Sequence, residues 1–245
     1  MESKNPIFRK MFSNVENDGL LKPMTVEGTA NKFCLLSLFV LATAAITWYQ
    51  YTIGRTDLGD ILGMGGFVLG IIFGLIIAFR PKTAPTLAPV YAICEGALVG
   101  WISFWFEAQF PGVVIKAVFT TFLVALSVGI LYRMRIIKAT EKFKSILISA
   151  TTAIGLFYLI SIILAFCGVH LSYFASANTP AFILLNLGIA VIASLNLIID
   201  FDFIEKGEQT GIPETYEWFG AHGLIVTLVW MYIEILRLLA RLSKK

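Results

Sequence analysis

At 245 residues, 58% hydrophobic and only 14% charged, with a mean hydropathy of +0.81, the chain is far too apolar for a domain that folds in water. A formal net charge of +3 is too small to mark a nucleic-acid surface, and no nucleic-acid partner is expected. Three cysteines without CxxC spacing, Cys34, Cys94 and Cys167, give neither a disulfide framework nor a metal site and read as small apolar packers.

A segment needs about 20 largely apolar residues to cross about 30 Å of hydrocarbon. Seven stretches meet that length, near 33–53, 61–79, 86–106, 113–132, 145–168, 180–200 and 219–240. Their apolar runs are unbroken rather than alternating. Because lipid offers no partner to a bare backbone group, each must be a helix. The expected fold is an all-α integral membrane protein, a seven-helix bundle. It divides into a tail over 1–32, one membrane domain over 33–240 and a basic tail over 241–245.

The tail over 1–32 mixes Lys, Arg, Asp, Glu and Asn without an apolar core, so no cleavable signal peptide is expected. The first span closes on Trp48, Tyr49 and Tyr51, suited to the membrane interface. The second carries Gly66, Gly70 and Gly74 at four-residue spacing, a stripe that admits a neighbouring backbone. Gly96 and Gly100 repeat the pattern in the third. Trp101 and Trp105 lie toward the third span's end. The basic 133–144 loop, RMRIIKATEKFK, follows the fourth and is a candidate for contact with anionic headgroups, or simply a charge that sets orientation. Thr179 before Pro180 reads as an N-cap that starts the sixth span. The longest loop is expected over 201–218, and Trp218 opens the last span.

Orientation follows from Lys and Arg in the short loops. With seven spans, 13 of the 19 fall on the side of the N-terminus, which is therefore expected in the cytoplasm. Arg55, Lys116, Arg237, Arg241, Lys244 and Lys245 fall on the other side, and the basic C-terminal end is the one discord in that pattern.

An ionisable side chain inside a span is costly and so begins as a functional candidate. Four acids qualify: Glu95 in the third span, Asp200 and Asp202 at the inner end of the sixth, and Glu234 deep in the seventh with Arg237 one turn later. Asp200 and Asp202 are separated by about 200° of helical rotation, so only one faces the interior. An Asp200–Glu234 pair within reach would share a proton, although straight helices set the two at different depths. The alternative is a Glu234–Arg237 ion pair within one helix. Arg80, ending the second span at AFRPK, either contacts Asp200 or snorkels to headgroups. Tyr91 and Ser103 lie near the face of Glu95, which is either a cation contact or a structural hydrogen-bond partner. His170 and His222 carry no metal spacing, Gly63 and Gly65 begin no GxGxxG loop, and no nucleophile–base pair points to an enzyme.

Three segments, IIDFDFIEKG, GAHGLIVTLVWMYIEILRLLARL and YAICEGALVGWIS, with MTVEGTANKF before the first span, resemble the Bax inhibitor motif family, the Bax inhibitor-1-like group, and more closely its bacterial branch. The likeness covers nearly the whole chain after about residue 24. It implies a seven-helix bundle with the last helix central, acting as a pH-sensitive calcium leak. It also implies a carboxylate pair between helices six and seven as pH sensor, and an arginine latch from helix two. Carried over, Asp200 takes the sixth-helix role through DFDFI, Glu234 stands where the family has an aspartate, and Arg80 is the latch. Asp202, Glu95 and Arg237 are secondary candidates. Ca²⁺ would contact Asp200 and Glu234 transiently, with Ca²⁺ and H⁺ as transported or sensed ions and no cofactor. The other readings are a proton-coupled cation exchanger, and a non-transporting protein that modulates a membrane protease or a stress or cell-death partner. A bacterial inner membrane is the expected location.

Overall fold

The structure, a computed structural model, describes residues 22–167 and 180–243. Among the described residues, seven helices are long and apolar enough to cross a membrane. They are α1 Val26–Thr52, α2 Thr56–Phe79, α3 Ala84–Gln109, α4 Val113–Arg133, α5 Glu141–Phe166, α6 Pro180–Thr210 and α7 Thr215–Leu242. No sheet forms among the described residues, only an isolated bridge between Pro23 and Pro213. The protein is an all-α, seven-helix membrane protein.

Local chemistry sets the helix ends. Thr25, in an extended conformation, caps α1 by accepting from the Gly28 backbone N–H. Arg80 ends α2 because the following Pro81 pushes it out of the helical region, to φ −133° and ψ 73°. Gly112 and Gly211 take positive φ, 80° and 66°, at the turns into α4 and out of α6. Glu107 then closes the α3–α4 turn, accepting from the Gly112 and Val114 backbone N–H groups at 2.6 and 3.1 Å.

Two helices depart from the expected bounds. α1 begins at Val26 rather than near 33, because a capped turn needs no apolar side chains. α6 runs ten residues past 200, so most of the loop expected over 201–218 is helix. DFDFIEKGEQT is too polar for hydrocarbon, yet it holds no proline before Pro213 and no glycine at positive φ before Gly211. Thr179, His170 and the outermost charges of both tails lie outside the described residues.

The chain divides into two compact units. One takes Met1–Ile102 with Asp202–Ile225, the other Ser103–Phe201 with Val226–Lys245. In the first unit, the glycine stripes do what their spacing predicts. A Cβ on Gly66 would strike the Cys94 carbonyl of α3, and one on Gly70 would sit 3.1 Å from the Glu95 carboxylate. On another face of α3, Gly96 and Gly100 lie against the Val40 and Ala44 carbonyls of α1. Both stripes therefore serve packing within the chain. Only 6% of the apolar window of α5 is buried, against 56% of that of α7, so α5 leaves much more of its surface for lipid.

Candidate functional site

The second unit holds three of the sequence candidates, Asp200, Glu234 and Arg237. Asp200 lies on α6 and accepts a hydrogen bond from the Thr227 hydroxyl of α7 at 2.6 Å. That contact settles which aspartate faces its neighbour. Asp202, about 200° away around the helix, ion-pairs along α6 with Lys206 at 2.8 Å.

Glu234 lies seven residues beyond Thr227 on α7, about 10 Å along the axis. Only 1% of it is exposed. Its Oε1 accepts from the Tyr158 hydroxyl of α5 at 2.7 Å and from Arg237 Nη1 at 3.2 Å. Arg237 also donates to the Tyr158 oxygen at 3.1 Å and places its guanidinium 5.3 Å from the ring centroid. The three side chains thus form a closed triangle on one carboxylate oxygen. The other oxygen, Oε2, is buried with no hydrogen-bond partner among the described residues, an expensive state for a polar atom.

No hydrogen bond joins the two acids among the described residues. Each has its own partner, and the depth offset expected from straight helices is kept. Arg237 takes the intrahelical contact expected of it, and adds Tyr158. Arg80 caps α2 in the first unit, exposed and without an ion-pair partner among the described residues. Glu95, also in the first unit, lies partly buried beside Gly70. Ser103 does not turn to Glu95; its hydroxyl meets that of Tyr232 at 2.7 Å in the second unit.

This set, acids on α6 and α7 within a seven-helix membrane chain, is what the C-terminal segments led us to expect. Residues 5–244 match the family described as Bax inhibitor 1 like. The chain belongs to that family. No curated protein matches it. Membership agrees with the multi-pass architecture, and this Bax inhibitor-like chain carries Asp200 on α6 and Glu234 on α7.

Sequence reasoning did not find Tyr158 or Thr227. Tyr158 is the one aromatic hydroxyl in the stretch ISATTAIGLFYLISIIL of α5, and that was the available signal. Thr227 had none, because a lone threonine in a span commonly bonds its own helix. A further cluster in the first unit was also missed. Glu217, 2% exposed, accepts from the Thr25 backbone N–H and hydroxyl at 2.8 and 2.9 Å and pairs with Lys32.

Proposed function

We propose that this protein is a calcium leak whose opening depends on protonation of Asp200 and Glu234, acting as two separate stations rather than as one proton-sharing pair. The observation that carries the reading is Glu234: a carboxylate 1% exposed, held on one oxygen by Tyr158 and Arg237, with its second oxygen unpartnered. Such an oxygen is suited to receive a proton or to touch a passing cation, and hard carboxylate oxygen suits Ca²⁺. Ca²⁺ is cargo in this scheme.

Protonation acts locally at each station. At Asp200 it removes the charge from the oxygen that accepts from Thr227, weakening that hydrogen bond and easing α6 from α7. At Glu234 it removes the charge that holds Arg237 over Tyr158, loosening α7 from α5. Arg80 serves as the cytoplasmic latch by family resemblance. The N-terminus lies in the cytoplasm, and the host membrane is a bacterial inner membrane.

The Arg237 contact favours a second reading, in which Glu234 is a structural ion pair and the protein acts on a membrane partner without transport. Liposomes loaded with a calcium dye separate the two. The leak reading expects influx above protein-free liposomes without a counter-ion on the trans side. Influx equal to protein-free liposomes would leave the second reading standing, and influx that requires a counter-ion would indicate an exchanger.

A further inference from the structure

The turn between α4 and α5, in the second unit, carries a charge pattern that the proposed leak does not use. Between Arg133 and Lys144 stand five cations, Arg133, Arg135, Lys138, Lys142 and Lys144, against one acid, Glu141. Glu141 is paired with Lys144 at 3.6 Å. Arg133, Lys138 and Lys142 are exposed, with no ion-pair partner among the described residues. Between these charges Met134 and Ile136 are 64% and 62% exposed. Charge alone would suit bulk water, whereas large apolar side chains between cations suit the headgroup layer, where the ammonium groups meet phosphate and the apolar groups reach acyl chain. The topology puts them there, because α4 and α5 are both spans and only a short turn joins them.

The turn is also held in shape. Arg135 is the only described non-glycine residue at positive φ, 58°, a conformation that costs free energy unless its surroundings hold it. Its guanidinium lies 5.7 Å from the Tyr132 ring centroid, and Tyr132 packs on Phe201 of α6 at 5.8 Å. The cations are thus presented on a braced frame.

The geometry points to the α4–α5 turn as a docking site for anionic phospholipid, with Arg133, Lys138 and Lys142 on the phosphates and Met134 and Ile136 inserted among the acyl chains. Zwitterionic lipid gives the same insertion without the net charge, so selectivity for anionic headgroups is the signature.

The full chain in mild detergent, exposed to equal phosphatidylglycerol and phosphatidylcholine, should retain phosphatidylglycerol preferentially by native mass spectrometry. Each cation contributes about fivefold, so the triple variant Arg133→Gln, Lys138→Gln, Lys142→Gln should lose roughly 100-fold in phosphatidylglycerol affinity. The charge-preserving Arg133→Lys should keep the preference, which separates loss of charge from loss of fold. A double Lys22→Gln, Lys82→Gln variant, altered only in the first unit, should also keep it. In vesicles, brominated phosphatidylglycerol should quench a tryptophan placed by Ile136→Trp. Equal retention of both lipids by the wild type, undiminished retention by the triple variant, or an equal loss in the Lys22 and Lys82 variant would each overturn the proposal.

Discussion

The Asp200 carboxylate of α6 is bound by Thr227 of α7 at 2.6 Å, while Glu234, two turns further along α7, turns to α5. One helix thus serves two acids through two different neighbours, and α7 is the element common to both contacts. Anything that rotates or shifts α7 alters both at once.

Removing the Thr227 hydroxyl tests the first contact. Thr227→Val keeps the shape and strips the donor from Asp200, and should cost about 1–3 kcal/mol. Thermal melting in detergent measures it. Asp200→Asn keeps a group able to accept from Thr227 and should melt closer to wild type than Thr227→Val does.

For the α5–α7 contact, a double-mutant cycle is more informative than single losses. Tyr158→Phe removes the donor and leaves Arg237 as the sole partner of Glu234, and Glu234→Gln removes the charge. The two substitutions should couple by about 0.5–3 kcal/mol. Additive melting shifts would mean that the Glu234 charge adds nothing to its hydrogen bond with Tyr158.

Glycine contacts in the first unit give opposite expectations at neighbouring stripes of sequence. Gly96→Ala drives a methyl into the Val40 carbonyl and Thr43 of α1, and should destabilise by about 1–3 kcal/mol or more. Gly65→Ala meets nothing within 4 Å and should be neutral or slightly stabilising. Melting temperatures of the two variants, side by side, check the assigned packing.

The Glu217 cluster ties the start of α1 to the start of α7. Lys32→Ala leaves Glu217 with the two Thr25 donors, whereas Glu217→Ala removes all three contacts. Hydrogen exchange at Met24–Thr29 should therefore accelerate more in Glu217→Ala than in Lys32→Ala. The order would reverse if the ion pair alone held the segment.

The seven spans were readable because hydropathy reports the solvent a segment requires, and lipid leaves the helix as the only form for these unbroken runs. The glycine stripes were readable for a similar reason, since spacing of four names a helix face without any knowledge of the partner. The true end of α6 was not. Hydropathy fell at Asp200, while the backbone continued to Thr210, because polar side chains leave the membrane without leaving the helix. The candidate acids were visible as costly charges, but their partners were not. Thr227 and Tyr158 are 27 and 76 residues from the acids they bind, and no sequence period links α5 or α6 to a position on α7. Family resemblance suggested a shared proton between Asp200 and Glu234; helix geometry, which sets depth along α7, gave each acid its own partner.

The most direct measurement is the pH profile of calcium influx into liposomes for the wild type, Asp200→Asn, Glu234→Gln and the double variant. Both substitutions mimic the protonated acid, so each alone should flatten part of the pH dependence, and the double variant should combine the two effects and lose the rest. If either single variant already behaves as the double, the acids work as one proton-sharing pair and the two-station account is contradicted. If all four match protein-free liposomes, the leak itself is contradicted.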